Sequence, residues 1–331
     1  MVGKAGSGTL LLFSGGLDSI LAARVLQEQG VGVEAVHFIS PFYSGEWARK
    51  AAKGLGIRLH EVPVDRAYFR MVVKPGHGYG SQMNPCIDCR IYMLRRAERL
   101  RRRLGLGFLA TGEVVGERPL TQSRAAMMME EKEAGLDGRV VRPLSGGLLP
   151  ATLAEGRGLV RREGLPSLRG RSRKPQMRLA RGYGIREYPA PSGGCLLTDP
   201  EYARRLKGFL RERGSLTWNE AELLKHGRHF QVGGARIVVG RNEGDNRALT
   251  GLARRMGLAR LEVLGYPGPL TVILSRGRLR RGVVEAAAGL TARYSDFPGR
   301  GPVEVEARKG RSRRVLEARA TAKRELEKMR A

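Results

Sequence analysis

Short apolar runs separated by helically spaced segments fill the first hundred residues. Thr9 to Phe13 is an apolar run that predicts a strand, and Ser14-Gly15-Gly16 follows it at once. Leu17, Leu21 and Val25 then recur at the spacing of one helix face, until Gly30 offers a C-cap. Val31 to Ile39 reads as a second strand, and Trp47, Ala51 and Leu55 mark a second helix. A third strand, "IRLHEVPV", alternates in part. A loop rich in Gly and Pro, "KPGHGYGSQMNP", leads through "CIDC" into the basic helix "RIYMLRRAERLRRRLG". "GFLATGE" reads as a fourth strand ending in a glycine turn. This alternation predicts an α/β fold, a parallel sheet with helices on both faces and a site at the carboxyl ends of the strands.

Between Lys207 and Gly214 the character changes. "ARIVVGRNEGDNRAL", "LEVLGYPGPLTVILSRG" and "GPVEVEAR" predict strands and turns of a small C-terminal α+β domain. The expected division is 1–205 for the α/β domain, 214–302 for the second domain, and 303–331 for a basic helical tail. A chain of 331 residues is long enough for two such cores.

Charge narrows the partner. The chain carries 60 Lys and Arg against 32 Asp and Glu, a formal charge of +28, which suits a polyanion and above all nucleic acid. No apolar run is long enough to span a bilayer, so no membrane partner is expected, and "TLLLF" is too short for a signal-peptide core. The expected location is the cytoplasm, where stable disulfides are rare. Three cysteines cannot all pair within one chain, so metal binding or catalysis is the expected use of Cys86, Cys89 and Cys195.

The first candidate site is "FSGGLDSILAARVL". Small residues between a strand and a helix let backbone N–H groups converge on an anion, helped by the positive end of the helix. The Gly-Lys-Ser/Thr ending of a Walker A loop is missing, as is Gly-x-Gly-x-x-Gly. The cysteines admit four uses. One is a zinc site completed by His77 or a carboxylate, and another a redox Cys-x-x-Cys. A third is a catalytic pair passing a persulfide, and the fourth an iron–sulfur cluster on three thiolates with one iron open.

"SGGLDS" resembles the PP-loop of the N-type ATP pyrophosphatases, whose fold is adenine nucleotide alpha hydrolase-like. The resemblance implies that Ser14, Gly15, Gly16 and Ser19 cradle phosphate and that Asp18 assists catalysis through Mg²⁺. It also makes Thr111, Gly112 and Glu113, in "ATGEVVGERPLTQS", a second ATP-facing turn. His37 and Phe38 then either flank adenine or belong to the core. "SGGLDS", "NPCIDCR", "ATGE", "RPLTQS", "SRKPQ" and "PAPSGGCLLTDP" follow the order seen in tRNA thiouridine synthetases, over most of residues 9 to 200. The match is similar to the short 4-thiouridine synthetase-like branch, and more broadly to the 2-thiouridylases. Cluster-dependent relatives have all three cysteines, which implies that Cys86, Cys89 and Cys195 hold a 4Fe–4S cluster, with Cys89 and Cys195 also catalytic. The expected function is ATP-dependent tRNA sulfur transfer, forming 4-thiouridine at position 8. The alternatives are 2-thiouridine at the anticodon wobble base, or an RNA-binding protein with an inactive nucleotide site. Expected partners are tRNA, a sulfur donor (inorganic sulfide or a cysteine desulfurase) and a second copy in a homodimer. Arg clusters in "RIYMLRRAERLRRRLG" and "RGRSRKPQMRLARG" suit tRNA, with Lys174 the basic candidate nearest the chemistry. "RHF" and "VVGRNEGDN" resemble an NFACT-type RNA-binding domain.

Overall fold

The computed structural model describes residues 8–190 and 194–330, in two units, Met1–Asp199 and Pro200–Ala331. The first unit runs β1 (Thr9–Leu12), α1 (Leu17–Glu28), β2 (Val33–Ile39), α2 (Glu46–Leu55), β3 (Arg58–Pro63), α3 (Arg66–Val73), α4 (Cys86–Arg103), β4 (Phe108–Thr111), α5 (Arg124–Ala134) and β5 (Val140–Val141). The short α6 (Leu153–Gly156) and α7 (Lys174–Gly182) follow. The strands form one parallel sheet in the order β3-β2-β1-β4-β5. β1 and β4 are short and buried at every position, which is why they read as apolar runs without alternation.

Strand order reverses between β1 and β4. The chain winds outward through α1 and α2, then returns through α3 and α4 to the other side of β1. Right-handed crossovers therefore put these helix pairs on opposite faces. α1 packs against α2 and α7, and α4 against α3 and α5. Leu11, Leu17, Leu21, Leu26, Ala35 and Phe108 fill the core under α1. The crevice beyond the carboxyl ends of β1 and β4 is the place where such a sheet takes its ligand.

The sequence reading passed over α3. Tyr, Phe and two Val in "RAYFRMVV" favour strands, but Asp65 caps the segment, accepting from Ala67 N at 2.9 Å and Tyr68 N at 3.3 Å.

The second unit runs α8 (Pro200–Arg213), α9 (Trp218–Leu223), β6 (Arg228–Val232), β7 (Ala235–Val239), α10 (Glu243–Met256), β8 (Ala259–Val263), β9 (Thr271–Leu274), α11 (Arg281–Arg293), β10 (Val303–Lys309), β11 (Ser312–Ala318) and α12 (Lys323–Met329). Its sheet is antiparallel, in the order β11-β10-β8-β9-β7-β6, and α11 packs on it. Residues 303–330 thus form two strands and a short helix rather than the expected helical tail. Val303 and Val305 are buried on one face of β10, while β11 is an edge strand whose side chains are mostly exposed. Its charges belong to an edge that must resist pairing with other chains, and they hide the strand from a reading based on apolar alternation. The "NEGDN" stretch is also not a turn between strands. Asn242 accepts from Asp245 N at 2.9 Å and starts α10.

Candidate nucleotide and thiol site

The loop after β1 is built on close approach. Gly15 has φ of 76°, and a Cβ there would lie 2.3 Å from the carbonyl carbon of Trp47 at the start of α2. Only glycine fits both demands. Gly16 precedes α1 with no side-chain cap, so the first-turn N–H groups are left to the loop. Ser19 Oγ donates to Gly16 O at 2.8 Å, and Ser14 Oγ lies 3.4 Å from Ser19 Oγ. Both hydroxyls therefore sit at the mouth of the helix.

β4 delivers the second turn to the same point. A Cβ on Gly112 would fall 2.7 Å from Ser19 N and Cα, so the two turns touch backbone to backbone. Thr111 Oγ1 donates to Glu113 Oε2 at 2.9 Å. Glu113 is buried between two guanidinium groups, Arg90 Nε at 3.0 Å and Arg142 Nε at 3.0 Å. Burial opposes its charge, but the two arginines win and hold its carboxyl below the ordinary value. Glu113 is thus a buried strut that ties the second turn to the residue after Cys89.

Asp18 faces the crevice with one carboxylate oxygen buried and without a hydrogen-bond partner. Burial pushes its carboxyl up, against the pull of Arg173 and Arg118. Glu117 stands close by; burial and the Asp18 charge push its carboxyl up too. Gln176 Nε2 reaches Glu117 at 3.4 Å. None of Arg118, Arg173, Glu117 and Gln176 was singled out in the sequence, because residues 117 to 176 meet Asp18 only through the fold. Lys174 is exposed, and its neighbour Arg173 is the group that turns toward Asp18.

The segment that carries Cys195 returns to the helix that carries Cys86 and Cys89. Cys86 opens α4 and Cys89 lies in its first turn, where Cys89 Sγ is 3.8 Å from Tyr68 OH. Leu196 N donates to Phe42 O at 2.8 Å, and Met83 N donates to Leu197 O at 3.2 Å, which brings Cys195 back to the start of α4. Burial pushes the Cys89 thiol up to about 12, with the Cys195 charge adding to it and Cys86 contributing less. Burial likewise raises Cys195 to about 11, and Cys86 adds to it. Cys89 thus feels both other thiols, Cys195 feels Cys86, and Arg118 acts on both Cys195 and Asp18. The donor set suits a soft metal. Among the described residues, however, no three or more His, Cys, Asp or Glu side chains are gathered at ligand spacing.

His77 does not join the thiols. Its ring nitrogens lie 3.3 Å from Asp88 Oδ1 and 2.9 Å from Glu133 Oε1, so it pins the loop before α4 instead. Phe38 is buried against Tyr92, while His37 sits under the phosphate loop, one ring nitrogen 3.0 Å from Phe13 O and the other buried without a partner. Among the described residues no helix is long and apolar enough to cross a membrane.

Residues 3–146 match the family described as "Thiamine biosynthesis protein (ThiI)", and residues 227–330 match "NFACT protein RNA binding domain". The second match extends beyond the expected limit of 302, through β10, β11 and α12. A "Probable tRNA sulfurtransferase" of Streptococcus gordonii is 31% identical over 152 residues, 43% of this chain and 35% of its own length. Another with that description, from Lysinibacillus sphaericus, is 31% identical over 125 residues, 35% of this chain and 30% of its own. The chain spans about a third of the length of these curated relatives. A predicted subunit of tRNA methyltransferase from Methanocaldococcus jannaschii, a solved structure, is 21% identical with a TM-score of 0.32, over 41% of this chain and 69% of its own.

Proposed function

We propose, from the match of residues 3–146 to the ThiI family model and of residues 227–330 to the NFACT RNA-binding domain model, that the protein is an ATP-dependent tRNA sulfurtransferase. One observation carries the reading. The loop after β1 and the start of α4, with Cys86 and Cys89, lie within one unit, and Met83 N donating to Leu197 O at 3.2 Å returns the segment of Cys195 to that helix.

A uracil carbonyl is a poor electrophile, so its oxygen must first become a leaving group. The uracil oxygen attacks the α-phosphorus of ATP and pyrophosphate departs; hydrosulfide sulfur then attacks the ring carbon, and AMP leaves with the former carbonyl oxygen and the proton. Ser14, Ser19 and the N–H groups of Gly15, Gly16 and the first turn of α1 hold the pyrophosphate. Asp18 would hold Mg²⁺, and Arg118 and Arg173, which both act on Asp18, would offset the charge of the departing phosphates. Thr111 and Gly112 close the other side of the nucleotide. Cys86, Cys89 and Cys195 would be the thiolate donors for a 4Fe–4S cluster, which would supply sulfide for the transfer. The product is 4-thiouridine, made in the cytoplasm with inorganic sulfide or a cysteine desulfurase as donor.

The test is nucleoside mass spectrometry of tRNA treated anaerobically with the protein, ATP, Mg²⁺ and sulfide. 4-Thiouridine is the expected product. 2-Thiouridine would move the reaction to the anticodon, and bound but unthiolated tRNA would leave an RNA-binding protein with an inactive nucleotide site. Anaerobic protein should hold about four irons per chain, and Cys86→Ala should lose iron and activity together. A colourless Cys86→Ala protein that still thiolates tRNA when a persulfidated cysteine desulfurase replaces sulfide would replace the cluster with a persulfide on the Cys89–Cys195 pair, its outer sulfur passing to the ring carbon as the two cysteines close a disulfide.

A further inference from the structure

Along α4 the residues Cys89, Tyr92, Arg96, Arg99 and Arg103 follow one another at steps of three, four, three and four. Side chains at that spacing share one helix face. The face begins at a thiol of the candidate site and ends in arginines. Tyr92 fixes it in the middle, its ring 5.2 Å from that of Tyr68 and 6.4 Å from that of Phe38, its hydroxyl accepting from Asp65 N at 3.2 Å. Beyond Tyr92 the face opens into a cleft of about 280 Å³ lined by Val62, Arg96, Arg99, Leu100 and Arg103. β3, which supplies Val62, is the edge strand of its sheet.

The other arginines of the helix are engaged elsewhere. Arg101 and Arg102 both pair with Glu98 at 2.7 Å, and Arg95 donates to the carbonyl of Glu133. Within the cleft, Arg96 reaches Asp65 Oδ2 at 3.0 Å. Arg99 and Arg103 are exposed and have no carboxylate partner among the described residues. On the face that carries Cys89, Arg99 and Arg103 therefore keep charge that no carboxylate among the described residues offsets.

We propose that Arg96, Arg99 and Arg103 form a phosphate track that holds an RNA strand and leads its target base toward Cys89. The identity of the partner as RNA rests on the proposed function; the track itself rests on α4. A small anion would need one guanidinium group. Three in a row, with about 4.5 Å and 6 Å of helix rise between neighbours, match the repeat of a polyanion backbone. Val62 and Leu100 give an apolar floor for a ribose or a base. Arg96 lies about 10 Å along the axis from Cys89 and Arg103 about 21 Å. A strand held there continues to the thiols within a few nucleotides.

The experiment compares full-length, cluster-loaded wild type with two double variants, measuring tRNA affinity by fluorescence anisotropy at several salt concentrations. Arg99→Gln with Arg103→Gln removes the track, while Arg95→Gln with Arg102→Gln removes the same charge from another face of the helix. Loss of a phosphate contact should weaken binding roughly sixfold at about 0.1 M salt, with log–log salt slope shallower by about 0.8 per contact. The first variant should show this for both arginines, keep its KM for ATP and iron content, and thiolate normally at saturating tRNA. The control should lose clearly less. Unchanged affinity and slope in the first variant, as expected if the cleft serves an acidic protein instead, would overturn the track. So would equal losses in both variants. Binding is read without catalysis, so absent thiolation in the wild type would count against the proposed reaction and leave this test standing.

Discussion

Gly112→Ala isolates the contact between the two turns of the nucleotide site. Gly112 is not among the positive-φ glycines, so alanine can adopt its backbone conformation and the whole effect comes from space. The added Cβ would lie 2.7 Å from Ser19 N and Cα and 2.8 Å from Asp18 C. All three are main-chain atoms of the first turn of α1, so no side chain can rotate away. Reaching an ordinary contact of about 3.4 Å needs roughly 0.7 Å of separation between the β4 turn and the phosphate loop, and overpacking of this kind costs about 1–3 kcal/mol. The larger effect falls on catalysis, because Asp18 and Ser19 move with that backbone. Misplacement by about 1 Å can cost on the order of a hundredfold in rate, so tRNA-dependent pyrophosphate release should fall roughly ten- to a hundredfold, with weaker ATP binding by calorimetry. Gly182→Ala is the control. Its added Cβ meets nothing within 4 Å on α7, and alanine there should be neutral or stabilise by up to about 1 kcal/mol. Gly112→Ala protein with wild-type ATP affinity and pyrophosphate release would refute the claim that these turns jointly form the site.

Glu130 is fully buried, neither carboxylate oxygen has a partner, and burial with the Glu113 charge beside it pushes its carboxyl up to about 8. A raised carboxyl binds more protons in the native than in the unfolded state, so its contribution to stability falls as pH rises from about 4.5 to about 8. Melting temperatures between pH 6 and 9 should drop less steeply for Glu130→Gln than for wild type; an identical drop would show that Glu130 titrates normally. Arg173→Gln should slow pyrophosphate release at saturating tRNA, because Arg173 faces Asp18, whereas Lys174→Gln should leave that rate unchanged. The reverse pattern would restore Lys174 to the chemistry.

What the sequence revealed follows from how local each feature is. "SGGLDS" is legible because its residues are consecutive at one strand–helix junction, where the proposed phosphate cradle would need them. Gly112 was legible as a turn, but its pressure on Ser19 was not, since β1 and β4 become neighbours only when the sheet forms. Arg173 and Lys174 show the limit most directly. They are adjacent cations at the start of α7, and a step of one residue turns a helical side chain by about 100°. Composition cannot say which faces Asp18. β11 failed for the opposite reason, because its exposed charges are the mark of an edge, and read from the chain alone they look like a solvated tail.

The cysteines were legible as a set from their number, but the choice among their uses came only through resemblance, and the structure shows how their segments are tied to the loop after β1. The segment between β2 and α2 makes two contacts of different kinds. At its end, the Trp47–Ala48 backbone presses on Gly15 so closely that no side chain fits, which sets the height of the phosphate loop. At its beginning, Phe42 O accepts from Leu196 N, which sets the position of the residue after Cys195. A shift of this segment would therefore move the phosphate loop and a thiol together. Glu113 makes a second bridge, joined to Thr111 on the nucleotide side and to Arg90 beside Cys89 on the other. The proposed reaction, which activates an oxygen and delivers sulfur to the carbon bearing it, would need both ends in fixed register. Two separate ties between the ends, one of backbone contacts and one of buried charge, would provide that register within a single unit of the chain.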